Sequence, residues 1–314
     1  MFITIDNSTQ GILACPVCKN ALTYYNTQKP LSCKVCKTDF PTIGVNTGEG
    51  VEYTYDFRIN RPDFCTPPSQ KLWKHGQDEY EEFQDKISTQ DDYDNYLREI
   101  DVAKEIYTEV YPLSGSILDV GGHQGRVRHF VDTTTSHYIS MDPFPGVFKN
   151  ISKQTALLKA YPSLGQPCNF VAGLSEALPF RNDVFDWVHM RSVVDHFEDP
   201  YIAMKEACRV LKPGGKLIIG LAIMEKLGFT EDQSKLAKVA TKFKNEGMAG
   251  VLSVVNTKVT NFLKKGTLEG DDHHLYHFSH AHLKELMEKA GFTIVQEYWQ
   301  KPPYHYCIYI CGQK

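Results

Sequence analysis

The stretch Ile117-Leu-Asp-Val-Gly-Gly-His-Gln-Gly125 decides the fold. Its apolar first half predicts a short strand over residues 116–120. The glycines that follow predict a tight turn, because residues without a Cβ adopt backbone conformations that others avoid. We expect a helix to begin after this turn, over residues 126–131. A glycine turn lets backbone N–H groups approach a ligand closely, and a helix N-terminus favours negative charge there.

Further strand and helix segments follow this turn in a regular order. Residues 137–142, 169–173 and 185–190 each predict a strand, and residues 201–211 predict a helix. The phrase Leu211-Lys-Pro-Gly-Gly-Lys-Leu217 predicts a turn into a fifth strand. Two final segments near the carboxyl terminus predict an antiparallel pair. The alternation is typical of an α/β fold with a central, mostly parallel sheet.

With these segments, residues 96–314 resemble the class I S-adenosylmethionine (SAM)-dependent methyltransferases. The similarity is greatest to the small-molecule branch that includes the quinone-biosynthesis enzymes. The resemblance implies a Rossmann-like, seven-stranded sheet, SAM as cofactor, and methyl transfer to an O, N or C nucleophile. An insertion at residues 222–270 implies a helical cap over the active site. The alternative is a helical pair buried against the domain or against the second subunit of a homodimer.

The resemblance also implies which residues hold the cofactor. Asp142 ends the second strand, where an acid accepts both ribose hydroxyls. Two positions depart from the family pattern: Leu174 replaces an acid that accepts from the adenine amino group, and His123 replaces a glycine. His123 either contacts the cofactor carboxylate or the substrate, or points away. The implied cofactor-binding set is Asp119, Gly121, Gly122, His123, Gly125, Asp142, Pro143, Leu174, Ser175 and Arg191.

Three histidines are candidate bases for a substrate hydroxyl, because an imidazole titrates near neutral pH. They are His196, His274 and His123. The alternative for each is a histidine that only lines the pocket or makes structural hydrogen bonds. Residues 271–273, Asp-Asp-His, are a weaker candidate for a second metal site.

The first 50 residues predict a separate zinc ribbon. Cys15 and Cys18 form one C-x-x-C pair, and Cys33 and Cys36 form another. Four thiolates suit a closed, tetrahedral and therefore structural Zn²⁺ site. Redox-active or free cysteines are the alternative. The segment resembles the zinc ribbons that activate tRNA and release-factor methyltransferases, or that are fused ahead of bacterial ones. Residues 51–95 predict a linker and an acidic helical segment.

Charge and hydropathy narrow the function. The net charge of −4 makes nucleic acid an unfavoured partner. No apolar run predicts a membrane span, and no signal peptide is recognised, so we expect a cytoplasmic protein. The leading hypothesis is a small-molecule methyltransferase that acts on a sugar, a quinone-like compound or a natural product. The alternatives are an rRNA or tRNA base methyltransferase that uses the zinc ribbon to bind RNA, and a non-catalytic SAM-binding scaffold.

Overall fold

A computed structural model describes residues 1–22, 30–58, 78, 92–223, 276, 278–300 and 307–314. The predicted cap at 222–270 lies almost entirely outside these residues, as do His274 and the acidic cluster at 271–273. The strands are β1 Ile3–Thr4, β2 Leu31–Ser32, β3 Asp39–Phe40, β4 Thr42–Asn46, β5 Val51–Tyr55, β6 Ser116–Val120, β7 His137–Asp142, β8 Cys168–Ala172, β9 Phe185–Arg191, β10 Leu211–Ala222, β11 Thr293–Trp299 and β12 Cys307–Gln313. The helices are α1 Asn7–Ile12, α2 Tyr93–Glu105, α3 Thr155–Ala160, α4 Pro200–Val210 and α5 His280–Ala290.

The core of the molecule is one eight-stranded sheet in the order β1-β8-β7-β6-β9-β10-β12-β11. Strands β6 to β10 pair in parallel, and β12 runs antiparallel between β10 and β11. The predicted seven-stranded α/β sheet is therefore confirmed. The eighth strand, β1, comes from the amino-terminal segment and pairs in parallel with β8. Because β6 to β9 are parallel, their carboxyl ends lie at one edge of the sheet, where open α/β sheets bind ligands.

The amino-terminal segment is packed into the same core as this sheet. Cys33, Phe40 and Phe57 share a hydrophobic cluster with residues of the central strands. Lys19 forms an ion pair with Glu206 on α4, at 2.7 Å. Residues 51–55, which the sequence placed at the start of a linker, instead form β5, the second strand of a hairpin with β4. The strand is rich in β-branched and aromatic residues, which favour extended backbone, although Val51 and Tyr53 are exposed and Thr54 is buried.

The helix before the glycine turn buries one face. Tyr96 and Ala103 on α2 are buried, and Ile106 and Tyr107 are buried in the π-helical turn that continues it. Leu97 is 42% exposed. Its position, one residue after Tyr96, turns it about 100° around the helix and away from the sheet.

No helix among the described residues is both long enough and apolar enough to cross a bilayer.

The Glu52 carboxylate binds the backbone at the start of β1, in addition to the pairing of β1 with β8. Glu52 Oε2 accepts hydrogen bonds from the backbone N–H groups of Phe2 and Ile3, both at 2.7 Å. Both residues are buried, so the two N–H groups would lose their partner in a Glu52→Ala variant. We expect this variant to lose roughly 2–3 kcal/mol of unfolding free energy in urea titrations. Glu49→Ala is the matched control, because Glu49 is 61% exposed. Equal stability of the two variants would contradict this account of β1.

Candidate functional site

The turn after β6 needs its glycines. Gly121 has φ +70°, and a Cβ there would lie 2.3 Å from Val193 Cγ1. A Cβ at Gly122 would lie 2.6 Å from Ser140 Oγ and 2.7 Å from Asp119 Cγ. The residues that follow form a five-residue 3-10 helix, Arg126–Phe130, where the sequence predicted an ordinary helix. Protein atoms therefore fill the space that a side chain would take at these two positions, and the glycine backbone itself borders open space.

Two clefts open on either side of this turn and share Gly121, His123 and Val193. The first cleft has a volume of about 560 Å³, its open mouth included, and lies at the carboxyl ends of β6, β7 and β8. The second has a volume of about 1040 Å³ on the same basis and lies under α2. Eight predicted residues other than the shared glycine and histidine line the two clefts. Asp142, Pro143, Leu174, Ser175 and His196 line the first, and Arg191 lines the second together with Asp119 and Gly122.

Asp142 is the buried acid of the first cleft. Its Oδ1 accepts from the backbone N–H of Phe144 at 2.9 Å, and its Oδ2 accepts from that of His123 at 3.2 Å. These bonds orient the carboxylate at the end of β7. Burial raises the pKa of Asp142 to about 7, although the two hydrogen bonds oppose that shift. The carboxylate is therefore costly to ionise unless a ligand supplies further donors.

His123 stands where the two clefts meet, and it has φ +48°. Burial, and after it the positive charge of Arg126, lower the pKa of His123 to about 4. The imidazole is therefore neutral at pH 7. A neutral imidazole does not provide a positive charge for a carboxylate, so the cation in the second cleft comes from Arg126 or Arg191.

Glu176, which was not among the predicted site residues, connects the loop after β8 to the loop after β9 by hydrogen bonds. Its Oε1 accepts from the backbone N–H groups of Glu198 at 2.8 Å and Asp199 at 3.2 Å. Ser175 Oγ donates to its Oε2 at 2.8 Å. Burial raises the pKa of Glu176. These bonds connect the loop that carries Leu174 and Ser175 to the loop that carries His196.

The floor of the second cleft contains a histidine that the sequence analysis missed. His189 on β9 is 2% exposed, and its Nδ1 lies 2.7 Å from Asp119 Oδ1. Its Nε2 lies 2.8 Å from the hydroxyl of Tyr107. Tyr138 donates its hydroxyl to the other oxygen of Asp119. The Asp119 carboxylate is thus engaged by protein side chains.

Three predicted site residues remain to be placed: Gly125, His196 and His274. Gly125 has φ +81°, and a Cβ there would lie 2.9 Å from Arg128 Nε. Gly125 lines neither cleft. It packs against Arg128, Tyr138 and Cys168 instead. His196 lies at the rim of the first cleft, with its Nε2 3.9 Å from Asp195 Oδ1. His274 lies outside the described residues.

The four cysteines of the amino-terminal segment converge on one point. Their Sγ atoms lie within 4.8 Å of one another, and the Cys15–Cys36 and Cys18–Cys33 pairs are each separated by 3.4 Å. The two halves of the cluster have the same turn, because Lys19 and Lys37 donate their N–H groups to the carbonyls of Cys15 and Cys33. Four sulfurs bonded to one Zn²⁺ lie about 3.8 Å apart, so the spacing fits such an ion.

Comparison with known families agrees with this geometry. Residues 118–219 match the family described as methyltransferase domain. The chain carries a methyltransferase domain. Residues 7–41 match the family described as Trm112p-like protein. The predicted resemblance to methyltransferases, and the four-cysteine segment ahead of the methyltransferase domain, are therefore confirmed.

Individual relatives match this chain over limited lengths. An uncharacterized methyltransferase of Mycobacterium tuberculosis is 30% identical over 112 residues, which are 36% of this chain and 41% of that protein. The ubiquinone/menaquinone biosynthesis C-methyltransferase UbiE of Geotalea daltonii is 30% identical over 111 residues, or 35% and 46% of the two chains. The chain thus spans less than half the length of these relatives. A SAM-dependent methyltransferase of Thermotoga maritima, possibly a histamine N-methyltransferase, has a crystal structure that aligns with this one at a TM-score of 0.46. The two sequences are 19% identical, and the alignment covers 77% of this chain and 99% of that protein.

Proposed function

We propose that this chain binds SAM in the two clefts beside Gly121 and transfers its methyl group to a small molecule. One observation carries the proposal: the buried carboxylate of Asp142 faces a cleft that begins at a glycine turn without room for side chains. Asp142 would hold the ribose hydroxyls, and the loop at Leu174 and Ser175 would lie against the adenine. The second cleft would take the methionine end, beside Arg191 and the backbone of the turn.

The cofactor, when bound, supplies a methyl group on a positively charged sulfur, which a nucleophile attacks in line. The protein has to orient the acceptor, exclude water and remove a proton where the acceptor is a hydroxyl. We propose His196 as the base. His123 with its lowered pKa holds a proton poorly at pH 7 and suits this task less well. His274 keeps the role of second candidate from the sequence.

We further propose that the four cysteines bind one structural Zn²⁺ and that the protein acts in the reducing cytoplasm. The sulfur spacing supports a single tetrahedral ion, and a site made of four protein ligands has no open position for catalysis. Reducing conditions keep such thiols available as ligands. If the insertion at residues 222–270 does not form a cap, we propose that it packs against the second subunit of a homodimer.

The experiment that tests the proposed function uses SAM labelled in its methyl group. The purified protein is incubated with an extract of the source cells that has been separated into small molecules, RNA and protein. We expect label in the small-molecule fraction, and the labelled mass identifies the acceptor. Label in RNA would contradict the small-molecule proposal and support the alternative of an RNA base methyltransferase.

The raised pKa of Asp142 predicts a pH dependence of SAM binding. Only the ionised carboxylate accepts from both ribose hydroxyls, and a pKa of about 7 means that ionisation is lost as the pH falls. If the ionised form alone binds, the dissociation constant should rise about tenfold between pH 8 and pH 6. Isothermal titration calorimetry across this range measures the effect. An Asp142→Asn variant should bind more weakly and lose this dependence, and an unchanged slope in that variant would assign the titration to another group.

A further inference from the structure

A third pocket, which we call the α2 pocket, adjoins the second cleft at the same edge of the sheet. It has a volume of about 590 Å³, its open mouth included. It is bounded by one face of α2, by the carboxyl ends of β9 and β10, and by the start of β12. Arg191, Ser192 and Glu99 line both this pocket and the second cleft, so the two spaces are neighbours. A molecule here would lie next to a cofactor bound at the glycine turn.

We propose that the α2 pocket binds the methyl acceptor, and that this acceptor carries a carboxylate or phosphate group held by Arg98, with Arg191 at the boundary to the cofactor. The inference rests on the proposed methyltransferase function and deepens it, because it assigns the acceptor a site and a charge.

The charges around the pocket support an anion. Arg98 and Arg191 both line it. Among the described residues, neither arginine has a carboxylate oxygen within 4.0 Å. Glu99 is the one acid in the described lining. Its carboxylate is engaged by Arg126 at 2.8 Å and by the hydroxyl of Tyr161 at 3.2 Å. The described lining therefore presents two positive charges against one acid that another arginine already neutralises.

Arg191 is placed where it could orient a ligand at the boundary of the α2 pocket and the second cleft. It is the last residue of β9, and its guanidinium interacts with the hydroxyls of Tyr107 and Tyr309. Among the described residues, Glu99 is the acid whose charge acts on Arg191, and Glu99 is already paired with Arg126. An anionic ligand would therefore meet a positive charge that Glu99 only partly offsets. Ser192, which follows, has φ +54° and donates its N–H to Gly220 at 2.7 Å, which ties the ends of β9 and β10 together. Arg191 is thus held at the boundary between the two spaces.

Arg98 is the residue that separates acceptor binding from cofactor binding. It is exposed on α2, lines the α2 pocket and does not line either cleft of the glycine turn. Its described hydrogen bond, to Asn95 Oδ1 at 3.3 Å, is a weak one. Replacing Arg98 should therefore weaken the acceptor and leave SAM binding unchanged. Arg181 is a matched control, since it is an exposed arginine and lines none of these three spaces.

The test divides the small-molecule extract by charge before any methyl transfer. An anion-exchange column separates an anionic pool from a pool of neutral and cationic compounds, and each is incubated with the full-length protein and labelled SAM. We expect label only from the anionic pool. For the labelled acceptor, Arg98→Gln should raise KM about tenfold with little change in kcat, whereas Arg181→Gln should match the unchanged protein. Phosphatase treatment of the pool distinguishes the sources: loss of label assigns a phosphate, and persistence assigns a carboxylate.

Several results would overturn the proposal. They are label from the neutral and cationic pool, label in RNA or protein alone, no label from any pool, and an equal KM for the two arginine variants. The dissociation constant of SAM, measured by calorimetry on the same samples, distinguishes a failure of the proposed function from a failure of the anionic-acceptor proposal. A protein that does not bind SAM contradicts the proposed function itself. A protein that binds SAM but shows no preference for anionic acceptors contradicts only this inference.

Discussion

An Asp142→Ala variant should bind SAM at least a hundredfold more weakly than the unchanged protein. Asp142 is the buried acid at the end of β7, and it faces the first cleft. Two hydrogen bonds from ribose hydroxyls to a carboxylate are worth about 1.5–3 kcal/mol each, so their loss corresponds to a factor of a hundred or more. Isothermal titration calorimetry at pH 8 gives the two dissociation constants.

The structure also predicts that this variant stays folded. Burial raises the pKa of Asp142, which means that the folded protein binds its proton more tightly than the unfolded chain does. This contribution to stability is complete below the unfolded pKa and is lost as the pH rises through about 7. At pH 8 the ionised group therefore adds none of this stability. The variant should lose only what the N–H groups of His123 and Phe144 lose with their acceptor, roughly 2–3 kcal/mol. Asp101→Ala, an exposed acid on α2, is the control for affinity. Equal SAM affinity of the two variants would remove Asp142 from the site.

A Cys33→Ser variant should lose several kcal/mol of stability and its bound zinc. Structural Zn²⁺ contributes on the order of 10–16 kcal/mol in small zinc peptides, and a serine is a poor substitute for a thiolate ligand. Cys33 is buried in the same hydrophobic cluster as Phe40 and the central strands. We therefore expect the whole protein to unfold in one transition at a lower temperature. A separate module would instead melt alone and leave the sheet intact.

Metal analysis and thermal unfolding, with and without a chelator, measure this effect. Cys208→Ser is the matched control, because Cys208 is partly exposed and lies outside the four-cysteine cluster. We expect one zinc ion per chain in the unchanged protein and in the control, and less in Cys33→Ser. An unfolding temperature common to both variants, or a protein purified without zinc that unfolds at the same temperature, would contradict a structural metal.

The sequence was sufficient to predict the parts of the site that depend on local pattern. An apolar strand that ends in an acid places Asp142 at the ligand-binding edge, because parallel strands end at the same edge of the sheet. The glycine turn follows from the conformations that only glycine adopts easily. The two C-x-x-C pairs predicted a common point for four sulfurs, and the structure brings those sulfurs together.

The remaining features depend on neighbours that are distant in sequence. His189 lies between the buried Val188 and Met190 of β9, and only the pairing of β6 with β9 places it opposite Asp119. A histidine between two apolar residues of a strand was the available signal. Strand β1 spans two residues, too short for any periodicity, and it is held by β8 and by the distant Glu52. The linker prediction at residues 51–55 was wrong because the pairing with β4 outweighs the polar residues of that strand.

The most direct test of the central claim is a calorimetric titration of the zinc-loaded protein with SAM at pH 8. The account predicts binding at one site per chain with a dissociation constant in the micromolar range. A repeat at pH 7, near the pKa of Asp142, should also release protons as this carboxylate ionises. The absence of any binding up to 1 mM SAM would contradict the account and leave a methyltransferase fold that serves as a non-catalytic scaffold.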